Sequence, residues 1–192
     1  EFRRVLFRSY ERPLIDAEPI GVYPMLHHEG EWLVRWGCID LDVRAAHKRR
    51  WDYDTSHDAF VAAQNLVTAL GVMQIRAWVE RTKSNGYHVW VFANDWVPAV
   101  HMRRTLLVAC SLVDVPPTEV NPKSEGFADP TMIGNYVRLP YRGGLTPTPS
   151  RTMVDDHGNA IAFADFVDRA WADRVGGDHL ADRAALWMPE PT

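Results

Sequence analysis

The run Trp36-Gly37-Cys38-Ile39-Asp40-Leu41-Asp42-Val43 limits most strongly what this chain can fold into. It is an apolar, strand-like segment that closes on two aspartates one residue apart. Alternate side chains of an extended chain share a face, so Asp40 and Asp42 project together, about 7 Å apart at Cα. Two like charges at the end of a buried strand repel and call for compensation. Hard oxygen ligands of this kind suit a divalent cation such as Mg²⁺ or Mn²⁺. Solvated carboxylates at a strand end are the plainer alternative.

A core large enough to bury that strand is available. The 192 residues suit one domain, or one domain with a small appendage, and the hydrophobic fraction of 46% and charged fraction of 24% are ordinary for a globular chain. No apolar run approaches the roughly 20 residues of a membrane span, and no secretory signal is evident. The two cysteines, Cys38 and Cys110, sit inside apolar segments and read as buried free thiols, which points to a reducing, cytoplasmic home. A net charge of −4 argues against an extended electropositive nucleic-acid surface, while leaving room for a basic track beside a neutralised acidic site. Residues 1–12, opening Glu1-Phe2-Arg3-Arg4 with no methionine, read as a non-native leader, and their arginines are set aside.

The pattern along the chain is α+β, with local hairpins rather than a regular alternation of strand and helix. Ser56 is placed to cap a helix with Phe60, Ala63, Val67 and Leu70 on one face and Gly71 at its end. Residues 74–81 and 86–93 predict a hairpin around Thr82-Lys83-Ser84-Asn85. A second helix is expected from about Pro98 to Val113, burying Met102, Leu106, Cys110 and Val113. A short extended piece spans Thr118 to Asn121, and another strand runs from Ile133 to Pro140. Residues 13–150 are expected to form one catalytic domain. In 151–192 a β-hairpin around Asp155–Asn159 and a helix with Phe163, Phe166, Val167, Ala170 and Trp171 would pack on it.

Chemistry gathers at four places. After the aspartate pair comes Ser84-Asn85-Gly86-Tyr87-His88, where a hydroxyl, a glycine that permits close backbone approach and an imidazole converge beside Arg81 and Lys83. That set suits phosphate oxygens; a hydrogen-bonded core histidine is the bland reading of His88. Glu119, in Thr118-Glu119-Val120-Asn121-Pro122-Lys123, supplies a third carboxylate or is simply an exposed edge residue, with Asp129 its rival. Arg138, in Gly134-Asn135-Tyr136-Val137-Arg138-Leu139-Pro140, is fixed mid-strand on the face opposite Ile133, Val137 and Leu139, where a guanidinium suits bidentate phosphate contact. For single-stranded nucleic acid, Arg44, Lys48, Arg49 and Arg50 with Trp51 and Tyr53 combine cations with stacking aromatics. Arg103 and Arg104, on the second helix, are a further basic candidate.

Acidic pair, Ser-x-Gly-x-His before an aromatic strand, Glu-x-x-Pro-Lys, then Gly-Asn-Tyr-Val-Arg-Leu-Pro: in this order, from about Gly21 to Tyr141, the chain resembles the archaeo-eukaryotic primase superfamily. Gly21-Val22-Tyr23-Pro24 and Ile39-Asp40-Leu41-Asp42 are most similar to the primase-polymerases of phages, plasmids and mobile elements. The resemblance implies an RRM-like catalytic sheet packed with an N-terminal α/β unit. It makes Asp40, Asp42 and Glu119 the catalytic, metal-binding acids for two divalent ions, Mg²⁺ or Mn²⁺. Ser84, Gly86, His88, Lys83 and Arg138 become nucleotide-binding residues. The implied substrates are an NTP or dNTP and a primer on a single-stranded DNA template, with a replicative helicase as a candidate partner and no membrane. No helicase motor, zinc module or helical accessory domain is evident after the catalytic motifs.

Two other readings use the same residues. A metal-dependent phosphodiesterase or nuclease needs the carboxylates without the triphosphate pocket, and an RRM-like nucleic-acid-binding module would retain the sheet with a decayed site.

Overall fold

In the computed structural model, the structure describes residues 21–43, 53–141 and 150–188. The template-binding candidates Arg44, Lys48, Arg49, Arg50 and Trp51 and the leader 1–12 lie outside the described residues. Among the described residues the fold is α+β, a six-stranded antiparallel sheet with four α-helices. The strands are β2 (Met25–His28), β3 (Glu31–Leu41), β4 (Trp78–Arg81), β5 (Tyr87–Pro98), β6 (Val120–Asn121) and β8 (Thr152–Val154). Their order is β2-β3-β5-β4-β8, with β6 beside the C-terminal half of β3 on the edge where β2 flanks its N-terminal half. A separate two-stranded ribbon joins β1 (Gly21–Val22) to β7 (Val137–Arg138).

Period-two alternation gives the sheet two unlike faces. On one face Ile39, Leu41, Val79, Val89 and Val91 pack beneath helices α1 (Ser56–Val72), α2 (Ala99–Leu112) and α4 (Gly177–Ala184) in the larger core. On the other face Cys38, Trp78, Trp90 and Met153 form a second core under α3 (Phe163–Ala172), sealed by Phe166 and Ala170. Trp36, Trp90 and Phe92 add ring contacts along that face, with Trp90 and Phe92 stacked and 2° from parallel. An irregularity between Val34 and Trp36 breaks the β3–β5 register. Across it β3 changes sides: Val34 belongs to the helix-covered core, whereas Trp36 and Cys38 join the second.

The elements follow the sequence pattern with local revisions. Helix α1 is capped by Thr55, whose hydroxyl accepts from the Asp58 amide, rather than by Ser56. Its buried stripe is Ala59, Ala62, Ala63, Leu66, Ala69 and Leu70, and Gly71 lies within its last turn. Helix α2 begins after Pro98 and buries Met102, Leu106 and Cys110 as its spacing predicts. The run from Ile133 to Pro140 contributes only Val137 and Arg138 as strand; Ile133 is exposed, so the alternation there never meets a core. Helix α4 escaped the periodicity because it buries only Leu180 and Ala184. It is anchored instead by polar contacts, Thr105 donating to Leu180 O at 3.0 Å and Arg183 to Met73 O at 3.1 Å.

Candidate active site

The polar end of the second face is built by the same ladders that build its core. Asp40 on β3 pairs with His88 on β5, and His88 pairs with Glu80 on β4, which pairs with Met153 on β8. Side chains at paired positions share a face, so Asp40, His88 and Glu80 form one row across three strands. From the other edge β6 matches Asn121 with Cys38 and Val120 with Ile39, and the ladder continued by one residue brings Glu119 alongside Asp40. The β4–β5 hairpin turn carries Lys83 and Ser84, and Ser56 on α1 donates to Asn85 O at 2.7 Å, fixing that turn against the helix.

These elements enclose a cleft of about 670 Å³. Its walls include Asp40, Asp42, Glu119, Ser84, Lys83, His88 and Arg138, which come from five separate stretches of sequence. Tyr23, Glu80, Asn121, Lys123, Tyr136 and Arg151 complete much of the lining. Gly86 does not line it. A Cβ at Gly86 would stand 2.5 Å from Leu41 O, so the close backbone approach this glycine permits is to β3 rather than to a ligand. Arg81 also turns away, donating to Gly158 O at 2.9 Å. Asp129 is exposed, lies outside the cleft and accepts from Thr131 N and Oγ1 in its own loop.

The row has unusual electrostatics. His88 Nδ1 is 2.8 Å from Glu80 Oε2, and its Nε2 is 3.4 Å from Asp40 Oδ1. Trp90 Nε1 donates to the same Glu80 oxygen at 2.9 Å. Burial alone would push the imidazole towards its neutral form, but the adjacent carboxylates of Glu80 and Asp40 overcome it and raise its pKa to about 10. His88 is therefore a cation held between two acids at neutral pH. Glu80, 2% exposed, and Arg151, 6% exposed, were not singled out in the sequence. Glu80 was findable: once the hairpin is registered around residues 82–85, it faces His88 directly. Arg151 carried no such signal, since it follows an irregular stretch and has a positive φ of 57°.

The segment bearing Glu119 is held from below. Arg103 donates to Val120 O at 3.0 Å and Pro122 O at 2.6 Å, and Arg104 forms a two-bonded pair with Glu125 at 2.7 and 3.0 Å. Both arginines of α2 thus serve this loop, which replaces the expectation of a free basic track. Lys123 pairs with Glu119 within the cleft.

The donor set can be tested against a divalent ion. Asp40 Oδ1 is buried and accepts no hydrogen bond, which leaves a hard oxygen open towards the cleft. Among the described residues no three His, Cys, Asp or Glu side chains converge closely enough to hold an ion as they stand. The chemistry of Asp40, Asp42 and Glu119 fits such a cation, with Glu119 exchanging Lys123 for it.

The family model of the archaeo-eukaryotic primase domain of TOTE conflict systems matches residues 2–165, well over half the chain. The chain belongs to that family. No curated protein matches it. Archaeo-eukaryotic primase domains are primase- and polymerase-type nucleotidyltransferases and generally use divalent metals, and this one belongs to a mobile-element type of system. Nucleotides and nucleic acid are the substrates a primase domain implies. Among its described residues no helix is long and apolar enough to cross a membrane.

Proposed function

We propose that this archaeo-eukaryotic primase domain is a DNA-directed primase-polymerase that adds NTPs or dNTPs to a primer 3′-hydroxyl on a single-stranded DNA template. One observation carries the reading. Carboxylates, hydroxyl, imidazole and guanidinium that are scattered from residue 40 to residue 138 all line one cleft. Asp40, Asp42 and Glu119 would hold two divalent ions, Mg²⁺ or Mn²⁺, which supply acidification of the primer hydroxyl and charge neutralisation at the leaving pyrophosphate.

The remaining work falls to the chain's own groups. Ser84 and Lys83 reach the triphosphate from the hairpin turn, and His88 and Arg138 place donors where phosphate charge grows as the bond breaks. Nucleotidyl transfer needs positioning and electrostatics rather than a covalent intermediate, which suits a site made of fixed cations and carboxylates. Half-exposed Tyr23 and Tyr136, edge to face at 6.1 Å, give the cleft an aromatic wall.

The test is one gel. A labelled primer on a single-stranded template, given dNTPs or NTPs with Mg²⁺ or Mn²⁺, should lengthen; a primer that only shortens would replace this proposal with a nuclease. A parallel lane without primer asks whether the domain also initiates, alone or with a replicative helicase.

A further inference from the structure

The nucleotidyl-transfer reading uses His88 but leaves Glu80 without a task. A carboxylate 2% exposed carries a large desolvation cost, and an apolar residue could occupy its place. Its ladder partner on β8 is Met153, fully buried, and on the same face Trp78 and Trp90 pack into the second core. What Glu80 does instead is take two donors on one oxygen, His88 Nδ1 at 2.8 Å and Trp90 Nε1 at 2.9 Å. Trp90 is locked by β5 and by stacking on Phe92, so Glu80 is tethered on one side and tethers His88 on the other. An imidazole has two nitrogens; with Nδ1 taken beneath the sheet face, Nε2 is the edge turned to Asp40 and the cleft.

We propose that Glu80 is a positioning residue for phosphate recognition: it fixes the imidazole of His88 so that Nε2 is presented to the cleft. The inference rests on the nucleotide reading given above. When Asp40 engages a cation, the Nε2 donor that faces it is released to a phosphate oxygen without the ring having to turn. Glu80 itself touches no phosphate.

A double-mutant cycle separates this role from a structural one. Binding of inorganic tripolyphosphate in the presence of Mn²⁺ is measured by calorimetry, with no turnover, for wild type, Glu80→Gln, His88→Ala and the double variant. Glu80→Gln should weaken binding about tenfold, since the amide can no longer accept both donors. In the His88→Ala background the same change should alter binding by less than about twofold, because nothing remains to be aimed. Glu80→Met, shaped like its neighbour Met153, runs the same cycle where the amide is poorly accommodated. In Glu80→Gln the indole N–H resonance of Trp90 should shift, which reports loss of the shared oxygen directly. Equal factors in both backgrounds, with wild-type binding intact, overturn this inference alone. A wild-type protein that binds no tripolyphosphate overturns the nucleotide reading of the cleft and this inference with it.

Discussion

Asp40 stands at the junction of everything described: a ladder partner of His88, an open carboxylate oxygen and a wall of the cleft. Asp40→Ala and Asp42→Ala are each expected to cut primer extension by about 100-fold or more while the circular dichroism spectrum is retained. Mn²⁺-dependent extension persisting in either variant would remove the carboxylates from the chemistry. His88 yields a second prediction, for the metal-free protein. A free histidine titrates near 6.5, and this one is raised to about 10, so folding favours its charged form. Its stabilisation is full below about pH 6.5 and falls away as the pH rises through about 10. Urea unfolding across that window should show the loss in wild type and a flatter profile in His88→Ala. At Gly86 the prediction concerns stability: a Cβ 2.5 Å from the Leu41 carbonyl forces β3 and β5 apart, so Gly86→Ala should cost about 1–3 kcal/mol in denaturant titrations.

Elements show why some of this was legible from residues alone and some was not. Helix α2 and the β4–β5 hairpin were readable because their patterns are local, a helical stripe in one case and a polar turn between apolar runs in the other. Arg103 and Arg104 looked like surface charge because their partners lie 17 to 21 residues downstream, in a segment with no periodicity. Structure separates the two. Arg103 is half-buried and holds two carbonyls of the Glu119 segment; Arg104 and Glu125 are both exposed. Arg103→Ala should therefore cost about 1–3 kcal/mol by leaving carbonyls unpaired, and should slow nucleotide addition beyond what that loss explains. Arg104→Ala should cost no more than about 1 kcal/mol. Chemical denaturation and steady-state extension, measured on both variants, check the contrast. The recognisable motifs gave the acids and the hairpin, but Glu80 needed the strand register and Arg151 needed the coordinates.

At the scale of the whole molecule, one antiparallel sheet serves three purposes. Its first face makes the main core, half of its second face makes another, and the rest of that second face is the cleft. The family match ends at residue 165, inside α3, whereas Phe166 and Ala170 of that helix close the second core. All three uses depend on the parity of β3, and parity is set where Val34 and Trp36 part company. Because side chains alternate with a period of two, losing a single residue there would send Asp40 and Asp42 under the helices and bring Ile39 and Leu41 out into water. Shortening the chain at Arg35 is thus a different experiment from changing Arg35 to alanine, whose partner Asp95 is exposed. Deletion should leave insoluble protein, and substitution a working one. A crease far from the acids decides which side of the sheet meets the substrate.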